Sequence, residues 1–500
     1  MRPPQTLSVR TKLAFGVGSV AEGAVYIAFN TWNFLFYNQV LGLPGTLCGL
    51  AVTISLLFDA VSDPIVGSLS DRWRSRLGRR HPFLYATAIP LGLTFYALYV
   101  PPKGLSELGL ALWFTLFATL HRQALTLYHV PHLALGAELS TDYRERSVVM
   151  SYNTIFQVFG GAGAAFFGWT LFSKVQGGTS APGGYAAMAT GVALVATLSV
   201  LVSAHFTRDQ IPRLEQPSRT MPRLGVRSLL AEIGDCIANR NYRNLLLGLL
   251  MLGATLGTRE TIDPYAALFF WELPESKIRL FGLVLPPAFL VAFFVTARLH
   301  GRIEKRHTII AAAGVLAFGV LTPITLRLLG LFPANGTPAL LKTLLCFSFV
   351  SGVAVAMLTI SVLSALADVA DEHELATGRR QEGIFYAART LFSKISSGVG
   401  HIVAGIGIDL IRFPKAAAPG QVSESALFWL GLLNGPIAVL PAFAAVFFYA
   451  RYRLDRKEHA AIQSTLRARR GQRAPSPEPV VAFPPPEPAI YTGPSEREAG

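Results

Sequence analysis

The chain has 500 residues, of which 51% are hydrophobic and 15% are charged, and its mean hydropathy is +0.43. Soluble domains carry about 25% charged residues, so this composition excludes an ordinary soluble domain and indicates a membrane protein. The formal net charge of +14 does not indicate nucleic-acid binding, because the basic residues lie in short clusters and no zinc-finger, RNP-type or basic-zipper pattern occurs.

Apolar runs long enough to cross a bilayer, about 20 residues each, recur along the chain. They predict twelve transmembrane helices near 13–38, 46–69, 83–101, 108–137, 148–172, 185–206, 243–270, 278–297, 308–329, 339–366, 383–411 and 425–450. This pattern of six runs, a polar stretch and six more runs is typical of an internal repeat. The sequence therefore predicts an all-α membrane protein with two pseudo-symmetric six-helix bundles, 1–206 and 243–450. A cytoplasmic middle loop at 207–242 and a disordered cytoplasmic tail at 451–500 complete the predicted organisation.

The Lys and Arg residues between the runs predict the orientation. Nine lie after residue 450, seven in 207–243 and five in 70–82. The opposite loops hold Lys103, Lys174, Lys277, Arg412 and Lys415. Because positive residues stay on the cytoplasmic side, both termini are predicted to be cytoplasmic in a multi-pass protein of the cell membrane.

Two aspartates lie inside the second run, in the segment DAVSDPIVGSLSDRWRSRLGRR. By helical spacing, one face carries Ser55, Asp59, Ser62, Asp63 and Gly67. An ionised side chain at mid-membrane costs at least about 2.5–3.5 kcal/mol, and carboxylates one turn apart repel each other. The pair therefore favours a shared cation, or a proton on one carboxyl group. The alternative is a structural ion pair with an arginine of a neighbouring helix.

Other ionisable residues also lie within the predicted spans. Lys394 sits among small and apolar residues, so its amine needs an acidic partner and we expect a functional role. The seventh span holds Arg259, Glu260 and Asp263. These three residues form either a local structural charge cluster or a second coupling site. His401 and Asp409 lie nearer the outer end, where snorkelling or pairing with a polar neighbour explains them.

Three segments resemble one family of transporters. LFDAVSDPIVGSLSDRWRSRLGRRHPF resembles the second helix and following loop of the glycoside–pentoside–hexuronide:cation symporters, the melibiose-permease-like branch of the major facilitator superfamily. VPHLALGAELSTDYRERSVVMSYNTIF is similar to that family's fourth-to-fifth-helix crossing, and ADVADEHELATGRRQEGIFYAARTLFSK to its tenth-to-eleventh crossing.

This resemblance implies the major facilitator fold and symport of a small solute with a monovalent cation, Na⁺ or H⁺. It also implies no cofactor beyond the coupling ion, no enzymatic activity, no nucleic-acid partner and function as a monomer in the lipid bilayer. We expect transport by alternating access about a mid-membrane site.

The resemblance assigns roles residue by residue. Asp59, Asp63 and Thr126 match the family's cation-binding residues, and Ser62 stands where melibiose permease has an asparagine. If the coupling ion is Na⁺, we expect it at Asp59 and Asp63. The eleventh-helix lysine of the family matches Lys394. The superfamily's cytoplasmic gate corresponds to Gly67, Asp71, Arg72 and Arg79.

The sugar site departs from the family's pattern. An aspartate, a tryptophan and an arginine of melibiose permease are replaced by His129, Leu133 and Asn153. Glu22 is the nearby counterpart of the family's first-helix aspartate. The predicted substrate-binding set is Glu22, His129, Asn153 and Lys394. Because the galactoside-binding residues have changed, the solute is either a sugar or glycoside, or a lipid. The sodium-dependent lysophospholipid symporters are similar in the same D-x-x-x-D-P stretch.

Two further classes of protein find little support in the sequence. No G-x-S-x-G, H-E-x-x-H or G-x-x-x-x-G-K-[ST] motif occurs, so neither a hydrolase nor an ATP-driven pump is indicated. A non-transporting sensor would need an output domain, and the short cytoplasmic segments contain no recognisable one.

Overall fold

The computed structural model describes residues 7–140, 142–214, 234–378 and 382–473, and every regular element within them is helical. Each predicted span coincides with a helix. In chain order these are α1 (Val9–Leu35), α2 (Gly45–Arg72), α3 (His81–Leu98), α4 (Glu107–Glu138), α5 (Tyr143–Phe172), α6 (Pro182–Thr207), α7 (Arg240–Tyr265), α8 (Glu275–His300), α9 (Lys305–Leu328), α10 (Pro338–Thr377), α11 (Glu382–Leu410) and α12. The last of these comprises Glu424–Leu432 and Ala438–Tyr449, joined by the π-helical turn Leu433–Ile437.

The length and composition of the helices indicate a multi-pass membrane protein. Within the described residues, ten helices are long and apolar enough to cross a membrane. The two others, α3 and α4, coincide with the predicted spans 83–101 and 108–137. Inside α4 lie the buried polar residues His121 and Arg122.

The packing of the helices repeats with an offset of six. In the N-terminal half (α1–α6), α1 packs on α5, α2 on α4, and α3 on α6. In the C-terminal half (α7–α12), α7 packs on α11, α8 on α10, and α9 on α12. Between the halves, the contact of α2 with α11 is matched by the contact of α8 with α5. The repeat predicted from the sequence therefore appears as equivalent pairs of helices.

Side-chain caps begin half of these twelve helices. A side-chain oxygen accepts the backbone N–H three residues later at Ser8, Ser106, Asp142, Asn239, Thr337 and Ser423. Helix α2 follows Pro44, which offers no such cap. The carboxylate of Asp409 on α11 replaces it, accepting from the N–H groups of Gly45 and Thr46 at 2.7 Å each. An acid near the outer end of one half thus caps a helix of the other half.

Further contacts join the halves at this same predicted external side. Tyr265 donates to the Asn38 side chain at 2.7 Å, and Lys415 donates to the carbonyl of Gly42 at 2.5 Å. Helices α2 and α11 approach so closely that a Cβ on Gly405 would lie 2.2 Å from the carbonyl oxygen of Gly45. The two halves are therefore closed against each other on the predicted external side.

The expectation of a disordered tail at 451–500 needs correction for its first part. Arg456–Arg473 form a helix, α13, while residues 474–500 lie outside the described part. Helix α10 has 40 residues, about 60 Å, and exceeds the roughly 30 Å hydrocarbon core. Helix α13 contacts this long helix, where His459 Nε2 lies 3.0 Å from Asp371 Oδ2. The good helix formers Ala, Arg, Gln and Leu dominate α13, so the composition of the whole tail misrepresents this segment.

The orientation is tested by placing reporters on both sides of the protein. A reporter fused to the C-terminus should be active only in a cytoplasmic format, because the basic loops hold that side inside. The same reporter inserted at Gly104, in the loop between α3 and α4, should be active only in an external format. The reverse pattern would contradict the predicted orientation.

Candidate cation and solute site

Helix α2 brings its two intramembrane aspartates to one face, opposite α4 and α11. The hydroxyl of Thr126 donates to the carboxylate of Asp59 and lies 3.2 Å from Asp63 Oδ1. Asp59 is buried, and Asp63 is partly exposed. The three residues that the family resemblance assigned to the cation therefore lie together in the structure.

Lys394 of α11 contacts both aspartates. Its Nζ lies 2.8 Å from Asp59 Oδ2 and 2.6 Å from Asp63 Oδ2. The acidic partner expected for this amine is therefore a pair of carboxylates from the opposite half. The structure places Lys394 in the aspartate cluster, whereas the sequence grouped it with the predicted substrate residues.

An arginine completes this cluster of charges. Arg122 Nη1 lies 3.7 Å from Asp59 Oδ2, and Arg122 Nε donates to Ser55 Oγ at 3.1 Å. Its guanidinium group lies over the ring of Phe29, 4.5 Å from the centroid. The neighbouring arginine considered as a structural partner is therefore present alongside Lys394. Two carboxylates and two fixed cations compensate one another, so the cluster is neutral when all four are ionised.

Ser62 takes a different position from that expected of a cation ligand. Its hydroxyl donates to the main-chain carbonyl of Asp59 at 3.0 Å. A hydroxyl group in a helix commonly bonds back to its own turn in this way. The structure therefore directs the Ser62 oxygen along α2 and does not bring it to the two carboxylates.

A second buried charge cluster lies between α1 and α4. Glu22 Oε1 is 3.1 Å from His132 Nδ1, and Glu22 Oε2 is 3.1 Å from His129 Nδ1. Glu22 and His129 were predicted to lie together, whereas His132 was not. The i, i+3 spacing of the two histidines puts them on one helix face and could have revealed it. Asn153, also predicted, donates to Ser19 Oγ at 2.5 Å, one turn before Glu22.

A cavity of about 440 Å³ lies between α1, α5 and the first four helices of the C-terminal half. Arg259 and Asp263 form an ion pair of 2.9 Å on its wall, and Glu260 accepts from Tyr26 at 3.0 Å. Most of its wall is apolar and aromatic, including Trp169, Trp271, Phe281, Phe289 and Phe347. The predicted substrate residues Glu22, His129, Asn153 and Lys394 are not among its lining residues.

The predicted gate residues lie on the predicted cytoplasmic side, around a buried arginine that the sequence did not single out. Arg80 Nη2 is 2.5 Å from Asp71 Oδ1 and 2.6 Å from Glu138 Oε1. Arg79 also contacts Glu138, at 3.0 Å. Among the other predicted gate residues, Arg72 is exposed, and a Cβ on Gly67 would lie at ordinary contact distance, 3.6 Å, from Val130.

Replacing Arg80 by alanine should destabilise the protein more than replacing Asp71. Arg80 is 3% exposed, so its removal takes a hydrogen-bond donor away from the buried side of the Asp71 and Glu138 carboxylates. This costs on the order of 2–3 kcal/mol. The Asp71 side chain is 43% exposed, so Asp71→Ala should cost about 0–1 kcal/mol. Thermal unfolding in detergent measures the stability of both variants, and Arg76→Ala in the same loop is the control. Equal midpoints for Arg80→Ala and the wild type would contradict the role of Arg80.

Two repeated helical halves with a charged site between them are the architecture of a secondary transporter. The chain belongs to the family described as MFS/sugar transport protein, whose model matches residues 14–456. This match bears out the resemblance seen in the sequence.

Several relatives are symporters by name. The chain is 24% identical to the uncharacterized symporter sll1374 of Synechocystis, over 93% of this chain and 98% of the relative. It is 23% identical to the putative glycoside/cation symporter YagG of Escherichia coli, over 94% of this chain and 98% of the relative. It is 24% identical to the sodium-dependent lysophosphatidylcholine symporter 1-B of Danio rerio, over 83% and 82%.

A solved structure shows the same fold. The xylose transporter XylE from E. coli, in a partially occluded inward open conformation, matches with a TM-score of 0.57 and 13% sequence identity. The match covers 90% of this chain and 98% of that chain. At this identity the likeness concerns the fold alone.

Proposed function

We propose that the protein is a cation-coupled symporter in which Asp59 and Asp63 bind one monovalent cation. Lys394 takes the place of that cation when the ion is absent. The observation that carries this proposal is the position of Lys394 Nζ, 2.8 and 2.6 Å from the two carboxylates. A tethered ammonium group there neutralises the same oxygens that a free cation would contact.

The charges support a stoichiometry of one monovalent ion. If Lys394 leaves, Asp59, Asp63 and Arg122 together carry one net negative charge. An uncompensated charge in a low-dielectric site costs several kcal/mol, so either the lysine or a cation occupies the site. The hydroxyl of Thr126 supplies a neutral oxygen of the kind that hard cations prefer.

The replacement of the Lys394 ammonium group by a free cation also couples ion binding to alternating access. Lys394 belongs to the C-terminal half and the aspartates to the N-terminal half, so their ion pair bridges the two. Binding of the free ion breaks this bridge. The population then shifts towards a state in which the two halves are arranged differently relative to each other. Movement of one charge across the membrane contributes about 2.3 kcal/mol per 100 mV to accumulation of the solute.

A sugar or glycoside is the first candidate for the solute. The family description and the name of YagG support it, as do the polar groups of Glu22, His129 and Asn153. An amphiphilic lipid is the second candidate. The largely apolar wall of the cavity, with charged Arg259 and Asp263 on one side, favours a solute with a polar head and an apolar chain. The lysophosphatidylcholine symporter among the relatives supports the same candidate.

The proposal keeps the finer architecture expected from the sequence. Helices α3 and α4 complete a twelve-span major facilitator fold, with six-helix bundles at 1–206 and 243–450. The repeated helix pairs support this arrangement. Both termini are cytoplasmic, since the basic loops share that side. The protein works as a monomer and needs no cofactor beyond the coupling ion.

Uptake into proteoliposomes tests the proposed function. A panel of labelled glycosides and a labelled lysophospholipid is presented with a Na⁺ gradient, a pH gradient or no gradient. Accumulation of one solute under one ion gradient, absent from protein-free vesicles, is expected and names both the solute and the ion. Equal uptake with and without each ion gradient would contradict cation coupling.

A further inference from the structure

The acid between the two histidines is buried away from the aspartate cluster. Glu22 is 3% exposed, and the side chain of His132 has no exposed surface. Glu22 Oε1 lies 3.1 Å from His132 Nδ1, and Glu22 Oε2 lies 3.1 Å from His129 Nδ1. A buried acid in contact with two imidazoles is a cluster of titratable groups that can hold a proton.

His132 faces hydrogen-bond acceptors at both of its ring nitrogens. Nδ1 is 3.1 Å from Glu22 Oε1, and Nε2 is 3.1 Å from the carbonyl oxygen of Phe15. A neutral imidazole carries only one N–H group. One of its two nitrogens would therefore point a lone pair at the lone pair of an acceptor oxygen. The hydroxyl of Ser203, 3.4 Å from Nε2, does not remove the conflict, because the carbonyl oxygen lies closer. Both contacts become hydrogen bonds when the pair holds one additional proton.

The rings around His132 also favour its charged form. The ring of Phe15 stacks on the imidazole with centroids 4.5 Å apart, and that of Tyr128 stacks at 5.0 Å. A cation over an aromatic face is stabilised by about 0.5–2 kcal/mol. An imidazolium group held between two rings, with a carboxylate at one nitrogen, is therefore a favourable arrangement.

We infer that Glu22 and His132 form a proton-binding site, separate from the cation site at Asp59 and Asp63. The extra proton sits on the imidazole or on the carboxyl group, and in either case it lies between Glu22 Oε1 and His132 Nδ1. His129, whose side chain is 41% exposed, contacts the buried oxygen Oε2. The bound proton itself does not depend on the proposed symport, whereas its use in transport rests on that proposal.

Neighbouring charged residues link this site electrostatically to the cation site. The titratable groups that interact with it from the packed helices are His81, Tyr128 and His129. His129 is close enough to Asp63 and Lys394 for their charges to interact. A proton held at Glu22 makes its cluster more positive. Because His129 interacts with both Glu22 and Asp63, we expect release of this proton to favour binding of the coupling cation.

Nitrogen-15 NMR of histidine-labelled protein in bilayers, near neutral pH, tests the bound proton directly. The signals of His132, assigned by their loss in His132→Asn, should show two protonated ring nitrogens. An infrared carboxylic-acid band lost in Glu22→Gln would place the proton on the acid and equally support the site. His121 provides a buried reference, since no partner contacts its Nδ1 within the described residues. A neutral His132 beside an ionised Glu22 would overturn the inference.

Transport tests the use of this proton separately. The pH profile of solute uptake should flatten in Glu22→Gln and recover in Glu22→Asp, whereas His205→Asn, an exposed histidine of α6, should keep the wild-type profile. An unchanged profile in Glu22→Gln would show that the proton takes no part in transport. If no solute is transported by the wild type, the symport proposal fails, and the NMR result still decides the proton site.

Discussion

Replacing Asp63 by asparagine should abolish cation-driven accumulation while leaving solute exchange measurable. The substitution removes one charge and nearly preserves the shape of the side chain. Asp59, Lys394 and Arg122 then carry one net positive charge, so the site repels a free cation. One charge moving through 100 mV supports about 40-fold accumulation, because 2.3 kcal/mol is available and each tenfold requires about 1.4 kcal/mol. The accumulation ratio should therefore fall to about one.

The measurement compares ion-gradient uptake with exchange of labelled for unlabelled solute in the same vesicles. Asp209→Asn is the matched control, since this aspartate is exposed at the end of α6 and should leave uptake unchanged. Asp59→Asn should behave like Asp63→Asn. Full ion dependence in both variants would show that the aspartates do not hold the coupling cation.

Replacing Lys394 by alanine should block net uptake and retain exchange. Without the lysine, the empty site carries one uncompensated negative charge, so the carrier cannot return across the membrane without an ion. Breaking a buried pair costs up to about 3–5 kcal/mol, and a bound cation should restore much of this stability. The variant should therefore unfold at a lower temperature without the coupling ion and recover when the ion is added.

The matched control for this variant is Lys342→Ala, because Lys342 is exposed near the start of α10. It should leave net uptake and the ion dependence of unfolding unchanged. Normal net uptake in Lys394→Ala would show that the lysine has a structural role only, and the proposed exchange between lysine and cation would then be wrong.

The local parts of the site could be predicted from the sequence, because helical spacing is a short-range property. Asp59 and Asp63 are four residues apart, and this alone puts both carboxylates on one face of α2. The family resemblance added Thr126, and the structure brings its hydroxyl to both acids.

The partners across the two halves could not be predicted in the same way. Lys394 lies more than 300 residues from Asp63, and their contact depends on how the halves dock. Spacing shows that the amine needs an acid, but it does not show which acid the fold supplies.

The predicted gate shows a second limit of prediction from the sequence. Five arginines lie between residues 72 and 80 and look alike in the sequence. The chain turns at Gly78, whose φ is +72°, a conformation that glycine adopts readily, and Arg80 alone of the five is buried. Its contacts with Asp71 and Glu138 follow from this turn, which periodicity does not reveal.

Equilibrium binding of radioactive sodium to the purified protein, with proton uptake followed in parallel, tests the exchange of lysine for cation most directly. The wild type should bind one monovalent cation per chain. Lys394→Ala should bind that ion at least about tenfold more tightly, corresponding to about 1.4 kcal/mol, because the competing ammonium group is gone. Asp63→Asn should lose the binding. Unchanged or weaker binding in Lys394→Ala would contradict the account, since a lysine that occupies the site of the cation must compete with it.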